Sequence, residues 1–221
     1  MDVGVIGVGA MGRNHVRVYS ELKGVDTVYV YDPLPENAAR AGEYASICAS
    51  PEELLEKVDA VSICVPTRYH FEMAKKVIQA GINCLIEKPI TLTAEEGTRL
   101  LQIIEGSKLV VGVGHIERFN PIVSEMAKIA KRPAYVSIKR HNPTSSRITD
   151  ASVVEDLMIH DIDVAFNVLF KGETDFHIHS AGSANFCEAL AVFPHSVLAI
   201  SASRLSSKKF RTFYVESEDF T

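Results

Sequence analysis

One stretch has residue types and spacing suited to holding an anion. Gly7-Val8-Gly9-Ala10-Met11-Gly12 directly follows the apolar run Val3–Ile6. In such a loop the first glycine permits a tight turn and the second lets backbone N–H groups approach a pyrophosphate. The third lets the following helix pack close to the strand. The start of that helix favours negative charge. Asp32 closes the next apolar run, 20 residues after Gly12. A carboxylate there accepts hydrogen bonds from both ribose hydroxyls and repels a 2′-phosphate, which favours NAD over NADP. Gly7, Gly9, Gly12 and Asp32 are the expected cofactor residues. Ala10 belongs beside the diphosphate, and Met11 belongs either there or in the core.

Further polar groups stand where other apolar runs end. Ala60–Val65 leads into Pro66, Thr67, Arg68, Tyr69 and His70. Asn83–Glu87 leads into Lys88-Pro89, and Leu109–Val113 into His115, Glu117, Arg118 and Asn120. Ligands of open α/β sheets collect at the carboxyl ends of the strands, so these exits are expected to converge on one crevice. Pro66, Thr67, His70, Glu87 and Lys88 join the expected cofactor residues. His70 reads equally as part of the N-cap region of the next helix. Glu87 reads as a partner for the Lys88 ammonium or for a neighbouring loop. Pro89 biases Lys88 towards an extended backbone and helps to aim its side chain.

The elements that must position these groups are legible in the pattern. The apolar runs before residue 115 are nearly continuous rather than alternating, as in parallel strands buried on both faces. Between them stand helix signals: Ser50-Pro51-Glu52-Glu53 and Thr93-Ala94-Glu95-Glu96 at starts, Gly81 and Gly106 at ends. This repeated βαβ pattern predicts a doubly wound parallel sheet of the Rossmann type. After Pro133 the texture changes to closely spaced strand candidates at 134–140, 176–181, 188–193, 196–203 and 210–217, with a turn at Pro194-His195 that predicts an antiparallel hairpin. One strong helical pattern remains, about Val154–Phe170, closed by Gly172. The expected fold is α/β: a dinucleotide-binding domain over 1–120, then an α+β substrate and oligomerisation domain over 121–221 with a mostly antiparallel sheet.

Bulk properties agree with an enzyme of this kind. The 221 residues are 47% hydrophobic and carry a formal net charge of −5. The acidic balance argues against a nucleic-acid partner, whose binding domain would be basic. No apolar run approaches the ~20 residues of a membrane span, and the N-terminus has no basic, signal-like segment. Cys48, Cys64, Cys84 and Cys187 fit no zinc spacing and read as reduced thiols, so a cytoplasmic location is expected. His177 and His179 share a strand face without a third ligand, and no metal site is expected.

Taken in order, Gly7-x-Gly9-x-x-Gly12, Pro66-Thr67 with His70, Glu87-Lys88-Pro89 and Asp156-x-x-x-His160 resemble the Gfo/Idh/MocA family of sugar-type oxidoreductases. The resemblance spans essentially the whole chain. Gly114–Pro121 with "EDLMIHDID" looks like the branch that oxidises UDP-N-acetylglucosamine to its 3-keto form. The resemblance implies an NAD-dependent dehydrogenase acting on a sugar or nucleotide-sugar hydroxyl, with Lys88, Asp156 and His160 as catalytic residues. A dehydrogenase of free sugars, inositols or related polyols is the alternative within enzymes. A catalytically silent NAD-binding sensor is the alternative outside them.

Residues four apart on a helix share one face, so Asp156 and His160 would form a proton-handling pair. Histidine suits the base because its ordinary pKa lies near neutrality. Asp156 would orient it or hold a neighbouring hydroxyl, and Lys88 would stabilise alkoxide charge; the split between Lys88 and His160 stays open at this stage. A diphosphate-bearing substrate needs cations, for which Arg118, Arg140 and Arg147 are expected, with Asn120 beside them. Two departures from the family stand out. Its members are longer than 221 residues, so a shortened second sheet with an edge open to partners is expected. Val153-Val154-Glu155 replaces the glycines that often precede the Asp-x-x-x-His motif. A homo-oligomer through the second-domain sheet is expected.

Overall fold

The computed structural model describes residues 1–131, 133–143 and 151–217. The chain divides into two compact units, Met1–Gly114 and His115–Thr221. The division falls six residues ahead of the expected 120/121 boundary. The segment after Gly114 packs on the helix of the second unit.

The first unit runs β1 (Val3–Ile6), α1 (Ala10–Glu21), β2 (Val28–Tyr31), α2 (Pro35–Ala39), β3 (Ser46–Ile47), α3 (Pro51–Leu55), β4 (Ala60–Ile63), α4 (His70–Gln79), β5 (Asn83–Ile86), α5 (Ala94–Ile104) and β6 (Val111–Val113). The strands form one sheet in the order β3-β2-β1-β4-β5-β6, all parallel. The apolar runs are continuous because both faces are covered. Val3, Val5, Val28 and Val30 pack with Val16 of α1 on one side. Ile6, Val61 and Ile63 pack with Leu54, Phe71, Ala74 and Leu100 of α3, α4 and α5 on the other. The expected helix starts form: Ser50 accepts from the Glu53 N–H at 3.1 Å and Thr93 from the Glu96 N–H at 3.2 Å. Gly81 and Gly106 end their helices at φ +76° and +74°. β3 and α2 escape the sequence pattern: β3 is two exposed residues without an apolar run, and α2 is five residues with no side-chain cap.

The second unit begins with a 3-10 turn, Ile116–Phe119, and α6 (Pro121–Ile129). It continues through β7 (Tyr135–His141), a long helical segment, and β8 (His177–Ser183), β9 (Phe186–Val192), β10 (Val197–Ser203) and β11 (Phe210–Glu216). The sheet order is β11-β7-β10-β9-β8. Three of its four pairings are antiparallel, and β7 with β10 is the parallel exception. A parallel pair needs a crossover, and the chain between β7 and β10 supplies it with the helix and the β8–β9 hairpin. The helical segment is less regular than its sequence pattern: α7 (Ile159–Val164) is α-helical, whereas Val154–Met158 and Ala165–Leu169 are π-helical. It still buries one stripe, Val153, Leu157, Met158, Val164 and Ala165, against Val136, Ile138, Leu198 and Ile200 of the sheet. Phe170 and Phe193 stack beside it with centroids 4.5 Å apart. Sequence reading did not separate α6 from the boundary region, although Asn120-Pro121 is a cap followed by an N1 proline.

Candidate active site

The loop after β1 has the backbone of an anion cradle. Gly7 sits at φ +88°, and a Cβ there would lie 2.7 Å from the Val65 backbone N. A Cβ on Gly12 would lie 1.9 Å from the Gly7 carbonyl O. Both positions therefore require glycine, one for its conformation and the other for the close approach of helix to loop. Gly9 is different: a Cβ there meets nothing within 4 Å, so its hydrogen faces open space. The helix α1 starts at Ala10 with no side-chain cap and no acid in its first turn. Its terminal N–H groups and its dipole are thus directed at that space. Ala10 and Met11 are exposed there, and Met11, 43% exposed, is not a core residue.

Asp32 braces the same loop. One carboxylate oxygen accepts from the Val8 N–H at 2.7 Å. The other accepts from the Leu34 N–H at 2.9 Å and from the Asn37 amide at 3.2 Å. A carboxylate has about four acceptor positions, so capacity for a ribose hydroxyl remains. The residues fit a dinucleotide: a glycine cradle, an open approach over Gly9, an uncapped helix start, and an acid at the end of β2.

Two expected cofactor residues have other duties. His70 is 1% exposed. Its Nδ1 lies 2.7 Å from the Pro89 carbonyl and its Nε2 2.8 Å from the Val65 carbonyl. Both ring nitrogens face backbone carbonyls rather than open space, so the ring bridges the β4 exit and the β5 exit. It does not cap α4, of which it is the first residue. Glu87 is also buried, at 7% exposure. Its Oε1 lies 2.9 Å from His15 Nε2, and its other oxygen accepts from the Lys88 N–H at 3.2 Å. Burial alone would raise this carboxyl, but the hydrogen bond and charge of His15 hold it below its ordinary value. The cluster continues inward, with His15 Nδ1 3.0 Å from Ser62 Oγ and the Tyr19 hydroxyl 2.6 Å from the same oxygen.

His15, Tyr19 and Ser62 were not singled out in the sequence. Their signal is a helical stripe, Gly12, His15, Val16 and Tyr19, that puts polar atoms on the sheet side of α1, opposite the one hydroxyl in the run Ala60–Ile63. Pro66 is exposed, Thr67 is half-buried in the 3-10 turn Thr67–Tyr69, and Lys88 is half-buried ahead of a cis Lys88–Pro89 bond. Burial pushes the Cys84 thiol up to about 11 and raises that of Cys64 as well. Neither is a reactive thiolate.

Within the second unit, Asp156 and His160 both lie on the helical segment, Asp156 in its π-helical start and His160 in α7. Asp156 has a counterion distant in sequence: Arg204 Nε stands 3.5 Å from its carboxylate. Arg204 also donates to the Ala151 carbonyl at 2.6 Å. His160 shares its surroundings with Glu117. Burial would raise the Glu117 carboxyl, yet the guanidiniums of Arg140 and Arg211, with His160, bring it below its ordinary value.

The expected phosphate-binding groups are mostly committed elsewhere. Arg140 is 1% exposed and donates to Asp161 through Nε at 2.9 Å and Nη2 at 2.6 Å. It also reaches Glu117 at 3.4 Å. A guanidinium so buried and paired is a structural ion pair, not a phosphate receptor. Arg118 pairs in two-pronged fashion with Asp163, which Asn167 also supports at 3.1 Å. Asn120 caps α6, accepting from the Ile122 N–H at 3.1 Å. Arg147 lies outside the described residues. Among the described residues no three His, Cys, Asp or Glu side chains are grouped to hold a metal ion, and no helix is long and apolar enough to cross a membrane.

Comparison with known proteins bears on these geometries. Residues 1–115 match the Gfo/Idh/MocA family, described as an oxidoreductase family with an NAD-binding Rossmann fold. The chain is 38% identical over 190 residues to UDP-N-acetylglucosamine 3-dehydrogenase of Acidithiobacillus ferrooxidans, covering 83% of this chain and 58% of that protein. It is 30% identical over 178 residues to inositol 2-dehydrogenase 2 of Saccharopolyspora erythraea, covering 75% of this chain and 52% of that one. The chain thus spans between half and three-fifths of the length of these curated relatives. A solved structure of the Acidithiobacillus ferrooxidans enzyme superposes with a TM-score of 0.84 at 33% identity, over 99% of this chain and 72% of that chain. The fold also matches scyllo-inositol dehydrogenase of Lactobacillus casei, solved with NAD(H) and scyllo-inositol, at TM-score 0.86 and 17% identity, over 99% of this chain and 74% of that one. With its first 115 residues matched to the family's Rossmann domain and the structural likeness running on through the second sheet, the chain belongs to the Gfo/Idh/MocA oxidoreductases.

Proposed function

We propose that the chain is an NAD-dependent dehydrogenase of a nucleotide sugar, oxidising the 3-hydroxyl of UDP-N-acetylglucosamine to the ketone. The observation that carries the substrate is its 38% identity over 190 residues to an enzyme of that name. The cradle over Gly9 and the Asp32 carboxylate support NAD as the cofactor. NAD, when bound, accepts the hydride released from the carbinol carbon. His160 takes the hydroxyl proton as general base. Asp156, held by Arg204, holds a neighbouring hydroxyl or orients the imidazole. Lys88 brings an ammonium to the developing alkoxide. The exposed sheet face bearing Leu190, Val192 and Tyr214 is the proposed contact between two copies of the chain.

Turnover is followed as NADH absorbance with UDP-N-acetylglucosamine, myo-inositol and scyllo-inositol as parallel substrates. Reduction of NAD with the nucleotide sugar, lowered to a small residual rate in His160→Ala and Lys88→Ala, is the expected result. A response to the inositols alone moves the assignment to the polyol dehydrogenases, which the 30% relative favours. NAD binding without turnover of any substrate points to a sensor.

A further inference from the structure

The partly buried polar cluster on the inner side of α1 has no part in the chemistry above, yet it ends at the proposed catalytic lysine. His15 and Tyr19 project from α1, the helix whose N-terminus faces the diphosphate position. They reach Ser62 in β4 and Glu87 just past β5. Glu87 turns its second oxygen onto the Lys88 N–H. It also fills the space above Gly114, where a Cβ would lie 3.0 Å from Oε1. The residue after Lys88 is held as well, because the Pro89 carbonyl faces His70 Nδ1 at 2.7 Å. Lys88 is thus flanked by two residues that contact histidines, the half-buried His15 on α1 and the buried His70 at the start of α4.

A buried carboxylate is costly unless it is paired and hydrogen-bonded. An alanine or leucine at 87 would close the strand exit with less demand on its neighbours. The carboxylate and its histidine instead give the Lys88 backbone a directional anchor, and the anchor is bolted to the helix that receives the cofactor. We infer that His15, acting through Glu87, is a positioning residue that sets the placement of the Lys88 ammonium. This inference rests on the role proposed for Lys88.

Two measurements separate its failure from failure of that role. The first is a double-mutant cycle in NAD reduction. His15→Asn is expected to lower kcat by about 10- to 100-fold, the scale of a misplaced catalytic group, with KM for the sugar and Kd for NAD within about twofold. In a Lys88→Ala background the same substitution is expected to do nothing further, since residues acting as a unit are non-additive. A His15→Asn loss that persists undiminished in Lys88→Ala overturns the inference. The second measurement needs no turnover. Lysines are reductively methylated with 13C-formaldehyde, and the Lys88 resonance is identified by its disappearance in Lys88→Arg. His15→Asn and Glu87→Gln are each expected to move that resonance while thermal unfolding stays cooperative. A Lys88 resonance that stays in place in both variants sinks the inference. If Lys88→Ala keeps full turnover but the resonance moves, the positioning holds and the catalytic role of Lys88 is what fails.

Discussion

Gly9 and Asp32 allow the cofactor assignment to be tested atom by atom. A methyl group at Gly9 would project into open space, so Gly9→Ala is expected to fold normally and lose NAD affinity by tenfold or more, in proportion to the blocked approach. Calorimetric titration with NAD checks this; unchanged affinity would place the diphosphate elsewhere. Asp32→Ala removes the ribose acceptor together with its bonds to Val8 and Leu34. It is expected to weaken NAD binding by about 1.5–3 kcal/mol, the worth of hydrogen bonds to a charged group, and to narrow the proposed preference over NADP. Glu87 carries a pH signature. Its folded-state value lies below the ordinary glutamate value, which is about 4.3, so its ionised form stabilises the fold. That contribution is present above about pH 4.3 and is lost as the pH falls through the folded-state value. Glu87→Gln should therefore be less stable than the natural chain at pH 7, with the gap closing below about pH 4. Denaturant titrations at both pH values measure it.

At the scale of elements, the helix after β7 combines two tasks. It buries an apolar stripe against the sheet while carrying Asp156, His160, Asp161 and Asp163. Asp161 is fully buried, and its stability there depends on the fork of Arg140. Breaking such a pair leaves an uncompensated buried charge, so Asp161→Ala is expected to destabilise the second unit by about 3–5 kcal/mol. Replacing both partners, Asp161→Leu with Arg140→Met, should recover much of that loss. Unfolding monitored by circular dichroism distinguishes the two outcomes. The pattern of caps and apolar stripes made most elements of the first unit legible, because strands buried on both faces read as near-continuous apolar runs. The π-helical stretches around α7 left no such mark. The 3.6-residue period reports which residues are buried, not which carbonyl each N–H reaches.

At the scale of the whole molecule, the sheet of the second unit packs one face on its helix, and among the described residues of that unit nothing is layered on the other. Leu190, Val192 and Tyr214 are each about two-fifths exposed on that open face. Apolar side chains in that setting mark a contact surface, and the proposed occupant is a second copy of the chain. Leu190→Arg is expected to shift the protein from dimer to monomer in light scattering at micromolar concentration. A natural chain that is already monomeric under those conditions would remove the proposal.

The residues alone determined the glycine cradle, the acid at the end of β2, the parallel sheet around them and the mostly antiparallel sheet that follows. Each rests on local rules: glycine where no Cβ fits, continuous apolar runs where both faces are covered, capping residues where N–H groups need acceptors. Tertiary structure alone decided what the charged groups pair with. His70 and Glu87 looked like ligand contacts and proved to be internal ties. Arg140 and Arg118 looked free for phosphate and were claimed by Asp161 and Asp163. Asp156 acquired Arg204 from 48 residues further along. Spacing along a chain cannot show such pairings, because a charge finds its partner by proximity in the folded state, where burial makes an unpaired one too costly to keep.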